Sequence, residues 1–225
     1  MISGLPMYLN IVFVLATLLA VFLFYKASNR SKTTLFVLLT WLLIQAIVSL
    51  TGFYTITDTT PPRFPLLVLP PVLLIIGLFA SRNGRVFIDS LNAKTLTILH
   101  IVRIPVELTL YWLFVNKAIP ELMTFEGRNF DILSGITGPV VYYFGYIKKK
   151  LSNAVLLIWN LLCLGLLFNI VINAVLSLPS SFQKFAFDQP NIGVLYFPFV
   201  WLPCCVVPLV LMAHLACIRK ILVKK

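Results

Sequence analysis

The sequence predicts an all-α, polytopic integral membrane protein, a seven-transmembrane-helix bundle with its N-terminus outside and its C-terminus in the cytoplasm. Composition is the first reason: 60% of the 225 residues are hydrophobic and mean hydropathy is +0.99. Charged residues account for only 11%, whereas soluble domains contain roughly 25%. The second reason is that the apolar residues form seven segments. The third is that the loops between these segments alternate in their content of basic residues.

The seven segments have the lengths expected of membrane crossings, because roughly 17 to 25 helical residues traverse the hydrocarbon core. The fifth segment is the shortest, and the loops that separate the segments are too short to fold independently. We therefore expect residues 1–225 to form a single membrane domain. The predicted spans are 5–25, 34–54, 65–81, 95–117, 132–147, 154–178 and 192–217.

The first spans are separated by segments with clear loop signals. No basic residue precedes span one, whereas Lys26, Arg30 and Lys32 follow it. A cleavable signal peptide has the opposite order, so we expect span one to remain as an anchor. Span two ends before the segment 55–64, which contains two prolines and an aspartate and is predicted to be a loop.

Prolines interrupt the third and seventh spans. Span seven contains Pro198, Pro203 and Pro208, and each of these residues lacks a backbone donor. The spacing predicts that span seven is bent or partly unwound. Two interpretations are open. Either the neighbouring helices simply tolerate these kinks, or the broken helix exposes carbonyl groups to a cavity, as in transporters.

The distribution of Lys and Arg predicts the orientation. Thirteen of the 18 basic residues lie on one side of the predicted membrane, four lie on the other, and Arg103 lies within a span. Cytoplasmic loops carry the excess of Lys and Arg, which gives the orientation stated above in a plasma or cytoplasmic membrane. The same distribution accounts for the net charge of +11, so no nucleic-acid partner is expected.

The fourth span carries the most specific functional signal. His100, Arg103, Glu107 and Tyr111 fall on one face of a helix that advances 100° per residue. A charge at membrane depth costs on the order of 3 kcal/mol, so we expect this face to point into the bundle. Pro105 lies in the same helix and predicts a local distortion one turn before it.

The outer loop 118–131 supplies a second set of candidates, namely Glu126, Arg128 and Asp131. In one interpretation the loop dips into the membrane and closes a cavity beside Glu107. In the other, Asp131 is the N-cap of the next helix and the remaining charges are exposed.

The sixth span supplies Asn169 and Asn173, which lie one helical turn apart. These amides either bridge membrane helices or line the same cavity as Glu107. Asn160 falls on the opposite face of that helix, and His214 in span seven is interpreted as an interfacial residue.

These patterns predict an intramembrane polar pocket that binds or transports a small or lipidic ligand, with an anionic group paired to Arg103 as one possibility. Two alternatives remain open. His100 and Glu107 are the acid and base of an enzyme that acts on a lipid, or Arg103 and Glu107 form a buried ion pair in an assembly subunit. No cofactor and no metal site are predicted, because the two histidines lie in different spans and no HExxH or CxxC motif occurs.

Overall fold

The structure is a computed structural model that describes Ile2 and residues 4–223. Within these residues every regular element is helical. Three single-turn 3-10 helices lie in the connections, at Phe53–Thr55, Glu121–Met123 and Gly193–Leu195. The longer helices are α1 (Met7–Ala27), α2 (Lys32–Leu50), α3 (Pro65–Ala80), α4 (Arg82–Ser90), α5 (Ala93–Val115), α6 (Ile132–Ile147), α7 (Asn153–Leu176) and α8 (Leu202–Val223).

Five helices of the described chain are long and apolar enough to cross a membrane: α1, α2, α5, α7 and α8. Helices α3 and α4 meet that test only as a pair, and they are bent by 98° at their junction. Helix α6 is apolar but shorter. The chain therefore has the helices of a multi-pass membrane protein, with bounds within a few residues of the predicted ones in most spans.

Helix α4 occupies a stretch that the sequence analysis assigned to a loop. The Ser81 hydroxyl begins it by accepting a hydrogen bond from the Gly84 amide at 3.1 Å. Gly84 and Ile88 are buried, whereas Arg82 and Asp89 are exposed. A short helix with one apolar and one charged face, turned across the end of a membrane helix, is typical of an interfacial helix.

Helix α8 begins ten residues later than predicted, at Leu202 instead of residue 192. The preceding residues form a 3-10 turn and irregular structure, and Leu202–Val206 is π-helical. Pro198 and Pro203 explain this start, because neither has an N–H for a regular ladder. The helix then continues to Val223, so Arg219 and Lys220 are helical as well.

Helix α5 changes geometry at the residues that carry the functional signal. It is α-helical over Ala93–Leu99, 3-10 over His100–Val102 and α-helical again over Arg103–Val115. Pro105 cannot donate to the carbonyl of Ile101, so the distortion lies one turn before the proline, where the sequence predicted it.

The centre of the bundle consists of α1, α5 and α8. Helix α1 packs on α5 through small residues such as Ala16 and Ala20, and α8 packs on both α5 and α7. Helix α2 is peripheral, and its buried residues all lie in its second half, from Leu42 to Ser49. The first half of α2 therefore packs only loosely on the bundle, through half-buried residues such as Leu35 and Leu38.

Helix α6 lies unusually close to α5 because it presents glycines to it. A Cβ atom at Gly135 would lie 2.9 Å from Cγ1 of Ile104 and 3.2 Å from Cβ of Arg103. A Cβ atom at Gly138 would lie 3.2 Å from Cβ of His100. Small residues at such an interface let two membrane helices approach, and here they bring Asp131, just before α6, over Arg103.

We expect Gly135→Leu to destabilise the protein by about 1–3 kcal/mol, because the added side chain overlaps Ile104 in a closely packed interface. The measurement is the thermal transition of the purified protein in detergent. Gly165→Leu is the matched control, since no atom lies within 4 Å of a Cβ placed there. Equal transitions for the two variants would contradict this packing.

Candidate functional site: a buried polar network beside an apolar cavity

The centre of the site is the guanidinium of Arg103, which is 3% exposed. Its Nη1 donates to Oδ1 of Asp131 at 2.5 Å, and its Nη2 lies 3.1 Å from Nε2 of His214. The ion pair considered from the sequence, Arg103 with Glu107 on the same helix, does not form. Arg103 bonds Asp131 instead. The Arg103 side chain thereby joins α5, the end of the outer loop and α8.

Asn160 fixes the tautomer of His214. The Asn160 amide nitrogen donates to the carbonyl of Leu156 at 2.8 Å, so its Oδ1 faces Nδ1 of His214 at 2.9 Å. An amide oxygen only accepts, so Nδ1 carries the proton and donates it. Nε2 is then the acceptor for Arg103. The histidine is thus neutral and oriented on both sides.

Asn129 links the outer loop to Glu107. Its amide nitrogen donates to Oε2 of Glu107 at 2.6 Å and to the carbonyl of Met123 at 3.0 Å. Its Oδ1 accepts from the backbone amide of Asp131 at 3.0 Å. Asn129 is fully buried and Asp131 is 4% exposed. The loop therefore dips between the helices, as one of the two sequence interpretations required.

Asp131 lies at the N-cap position of α6, but its side chain does not cap the helix. The carboxylate bonds Arg103 instead. The capping alternative is thus correct for the backbone position and wrong for the side chain.

The network contains one basic and two acidic side chains. Arg103 is paired with Asp131, and within residues 4–223 Glu107 makes no ion pair within 4 Å. One buried guanidinium thus faces two buried carboxyl groups. An additional anion is disfavoured here, because Arg103 is already engaged by a carboxylate, whereas Glu107 remains able to accept from a donor.

A cavity of about 100 Å³ lies beside this network. Its walls are mainly apolar side chains from α3, α7 and α8, such as Leu67, Ile170 and Val206. Arg103, Glu107, Asp131 and Asn191 supply the polar part of the lining. The result is a space with apolar walls and a charged, hydrogen-bonding region.

Asn191 adds an unsatisfied acceptor to this lining. The residue is fully buried, and its amide nitrogen donates to the carbonyl of Ala174 at 3.2 Å. Its Oδ1 has no hydrogen-bond partner among the described residues. Buried polar atoms are nearly always paired, so this Oδ1, on a residue that lines the cavity, is an acceptor that the described chain leaves unsatisfied.

His100 is buried behind the network and does not line the cavity. Its ring stacks on His214 with centroids 4.0 Å apart and meets the edge of Trp159 at 5.4 Å. Within the described chain neither of its ring nitrogens has a hydrogen-bond partner. Over the same residues no three His, Cys, Asp or Glu side chains are grouped in a way that could hold a metal ion.

The other residues singled out from the sequence lie outside the cavity lining. Tyr111 is half-buried and stacks on Phe125, with centroids 5.1 Å apart. Asn169 is exposed and donates to the carbonyl of Arg128 at 2.8 Å, and Asn173 donates to Asn169 at 3.3 Å. These amides hold the outer loop against α7.

Glu126 and Arg128 are exposed on the outer loop. Arg128 lies over the ring of Phe185, 5.5 Å from its centroid. Of the three charged loop residues singled out from the sequence, only Asp131 belongs to the buried network.

Four residues of the site were missed or given minor roles: Asn129, Asn160, Asn191 and His214. A signal existed for His214, because an ionisable side chain within a membrane span is a functional candidate by default. A weaker signal existed for Asn129, which lies between two residues already considered. Asn160 and Asn191 had none beyond their polarity, since their partners are 54 and 17 residues away.

We expect Asp131→Asn to destabilise the protein by about 3–5 kcal/mol, because Arg103 would remain buried without its counter-ion. Arg103→Met combined with Asp131→Leu should be less harmful than Asp131→Asn alone, since it removes both charges. Thermal transitions in detergent provide the measurement. Asp89→Asn is the control, because Asp89 pairs with Arg219 at the exposed surface. A double variant as unstable as the sum of its single variants would show that the pair is not coupled.

Comparison of the chain with protein-family models, with curated protein sequences and with solved structures found no match. The function of this protein is therefore argued from its buried charged cluster of Arg103, Asp131 and His214 and from the cavity beside it.

Proposed function

We propose that the protein binds a small amphiphilic ligand within the membrane, one that places an alcohol or amine group at Glu107 and Asn191 and an apolar part in the cavity. The observation that carries this proposal is that Asn191, whose Oδ1 has no hydrogen-bond partner among the described residues, lines the same cavity as Glu107. Both are acceptors. Two guanidinium nitrogens of Arg103 are engaged by Asp131 and His214, and its Nε has no partner among the described residues. The head group that fits therefore donates a hydrogen bond and carries no negative charge.

The size of the cavity limits the buried part of the ligand. A volume of about 100 Å³ is somewhat smaller than an apolar protein cavity of about 150 Å³ that holds benzene. One ring or a short alkyl chain fills such a space. A longer tail would leave between α3 and α7, where the lining residues Val68 and Val171 are only half-buried.

The proposal includes seven crossings with an outer N-terminus. The five long helices, the bent pair of α3 and α4, and the short α6 correspond to the seven apolar segments of the sequence. Of the seven acidic residues, Asp58, Glu121, Glu126 and Asp188 lie in loops opposite to the basic ones. This arrangement puts the dipping loop and the cavity in the outer half of the membrane.

The enzyme alternative receives less support from the geometry. It needs His100 and Glu107 to reach one substrate, and His100 lies behind the network, away from the cavity lining. A purely structural role fits Arg103, Asp131, His214 and Asn160, whose hydrogen bonds join α5, α7 and α8. It does not account for the unpartnered acceptor of Asn191.

Photoreactive diazirine analogues of octanol, octylamine and octanoate test the ligand class on the full chain in lipid nanodiscs. We expect octanol and octylamine analogues to label residues of α3 and α7, and the octanoate analogue to label them at least tenfold less. Glu107→Gln should weaken labelling by the amine about tenfold, which corresponds to about 1.4 kcal/mol. Labelled peptides are quantified by mass spectrometry.

A filled cavity provides the second arm of this test. Ala174 lines the cavity, whereas Ile172 on the same helix is exposed. Ala174→Phe should abolish the labelling and Ile172→Phe should leave it unchanged, with both variants checked for an unaltered thermal transition. Equal labelling by all three analogues, or labelling that survives Ala174→Phe, would exclude the proposed site.

The orientation has its own test in intact cells, since the four native cysteines are free and buried. Cysteines introduced at Asp58 and Asp188 should react with a membrane-impermeant maleimide from outside. A cysteine introduced at Lys149 should react only after permeabilisation. Labelling of position 149 in intact cells would reverse or reject the proposed threading.

A further inference from the structure

A second apolar space, of about 740 Å³, lies on the other side of α8. Helix α8 turns Leu202, Pro203 and Val206 to the cavity beside Glu107, and Cys204, Cys205 and Pro208 to this second space. The two spaces are therefore lined by different faces of one helix, and neither is an extension of the other. We refer to the second space, walled by α2, α3 and α8, as the basic-end groove.

The groove exists because the first half of α2 packs only loosely on the bundle, through half-buried residues such as Leu35 and Leu38. The indole Nε1 of Trp41 donates to the carbonyl of Cys204 at 2.8 Å and closes the groove at that depth. Between Ser31 and Trp41 helix α2 has no buried residue. Its side chains there, such as Val37, face Leu74 and Leu78 of α3 across the open space.

The mouth of the groove lies at the basic end of the bundle. Ser31, Thr33 and Thr34 line it, and Lys32 lies between them in the sequence with its side chain exposed. The turn before α2 contacts the end of α4, because Asn29 donates to the carbonyl of Ser90 at 3.0 Å. On the α3–α4 side, Leu78 and Phe87 line the groove. Arg82 and Arg85 lie on the chain between them.

The charge at this mouth is positive and largely uncompensated. The acidic residue at this end is Asp89, and its carboxylate is held by Arg219 at 2.8 and 2.9 Å. Those hydrogen bonds keep the pKa of Asp89 below its usual value, so this carboxylate stays ionised and bound to Arg219. Among the described residues Lys32 and Arg82 make no ion pair within 4 Å.

We propose that the basic-end groove is a binding site for one anionic phospholipid, with an acyl chain between α2 and α3 and the phosphate at Lys32, Arg82 and the hydroxyls of Thr33 and Thr34. A volume of 740 Å³ falls within the roughly 300–1,000 Å³ of ligand pockets. Basic pockets between membrane helices at the cytoplasmic side bind anionic head groups. Here the groove supplies the apolar half and the loops supply the charge. This proposal is independent of the ligand at Glu107.

Native mass spectrometry of the full chain in detergent tests the proposal, with added palmitoyl-oleoyl phosphatidylglycerol and phosphatidylcholine as probes. We expect one phosphatidylglycerol to bind at least tenfold more tightly than phosphatidylcholine. Lys32→Gln combined with Arg82→Gln should remove this preference. Lys150→Gln is the control, because Lys150 follows α6 at the same end and neither it nor its neighbours in the chain line the groove.

Two substitutions on α2 distinguish lipid binding in the groove from lipid binding elsewhere on the apolar surface. Val37 lines the groove and is 48% exposed, whereas Leu39 is 45% exposed and does not line it. Val37→Trp should reduce binding of phosphatidylglycerol at least fivefold, and Leu39→Trp should not change it. Both are surface substitutions, and their thermal transitions report that the fold is retained.

Three outcomes would overturn the proposal. The first is equal binding of the two lipids, and the second is a preference that persists in the Lys32 and Arg82 double variant. The third is a dimer that dissociates in Val37→Trp, which would identify a second copy of the chain as the occupant of the groove.

Discussion

The buried pair of Arg103 and Asp131 sets the conditions that the rest of the bundle meets. A guanidinium that is 3% exposed within an apolar bundle is tolerated only when its charge is matched and most of its donors are used. Here both Nη atoms are bonded and Nε has no partner among the described residues. The match comes from a loop residue 28 positions later and from a histidine 111 positions later. One side chain therefore requires three distant segments of the chain to meet.

Meeting that requirement explains several otherwise unrelated features. The glycines of α6 allow the loop before it to approach α5, and Asn129 holds the loop down by bonding Glu107 and two backbone groups. The 3-10 turn at His100–Val102 precedes Arg103 directly. Stability and the shape of the cavity are thus determined by the same hydrogen bonds, so a ligand would bind against a pre-organised wall.

The sequence predicted the membrane helices well because a crossing is a local property of about 20 residues. It also predicted that His100, Arg103 and Glu107 point inward, since burial of charge follows from the cost of exposing it to lipid. It did not predict their partners. Arg103 bonds Asp131 and His214 instead of Glu107 because tertiary packing places those two groups closer to it. Helical spacing within one span carries no information about that packing. The prolines of span seven predicted that it is partly unwound, but its first residue was predicted wrongly, since mean hydropathy does not register three missing backbone donors.

The hydrogen bonds around His214 run in one direction. Arg103 donates to His214, His214 donates to Asn160, and Asn160 donates to the carbonyl of Leu156. The last donor is the amide nitrogen of Asn160, which cannot become an acceptor unless the carboxamide group flips. The last acceptor is a main-chain carbonyl oxygen. A proton arriving at Nε2 of His214 would displace the guanidinium and find no onward acceptor. This row of contacts therefore does not relay a proton, and Arg103 stands between the stacked imidazoles and the carboxylate of Asp131.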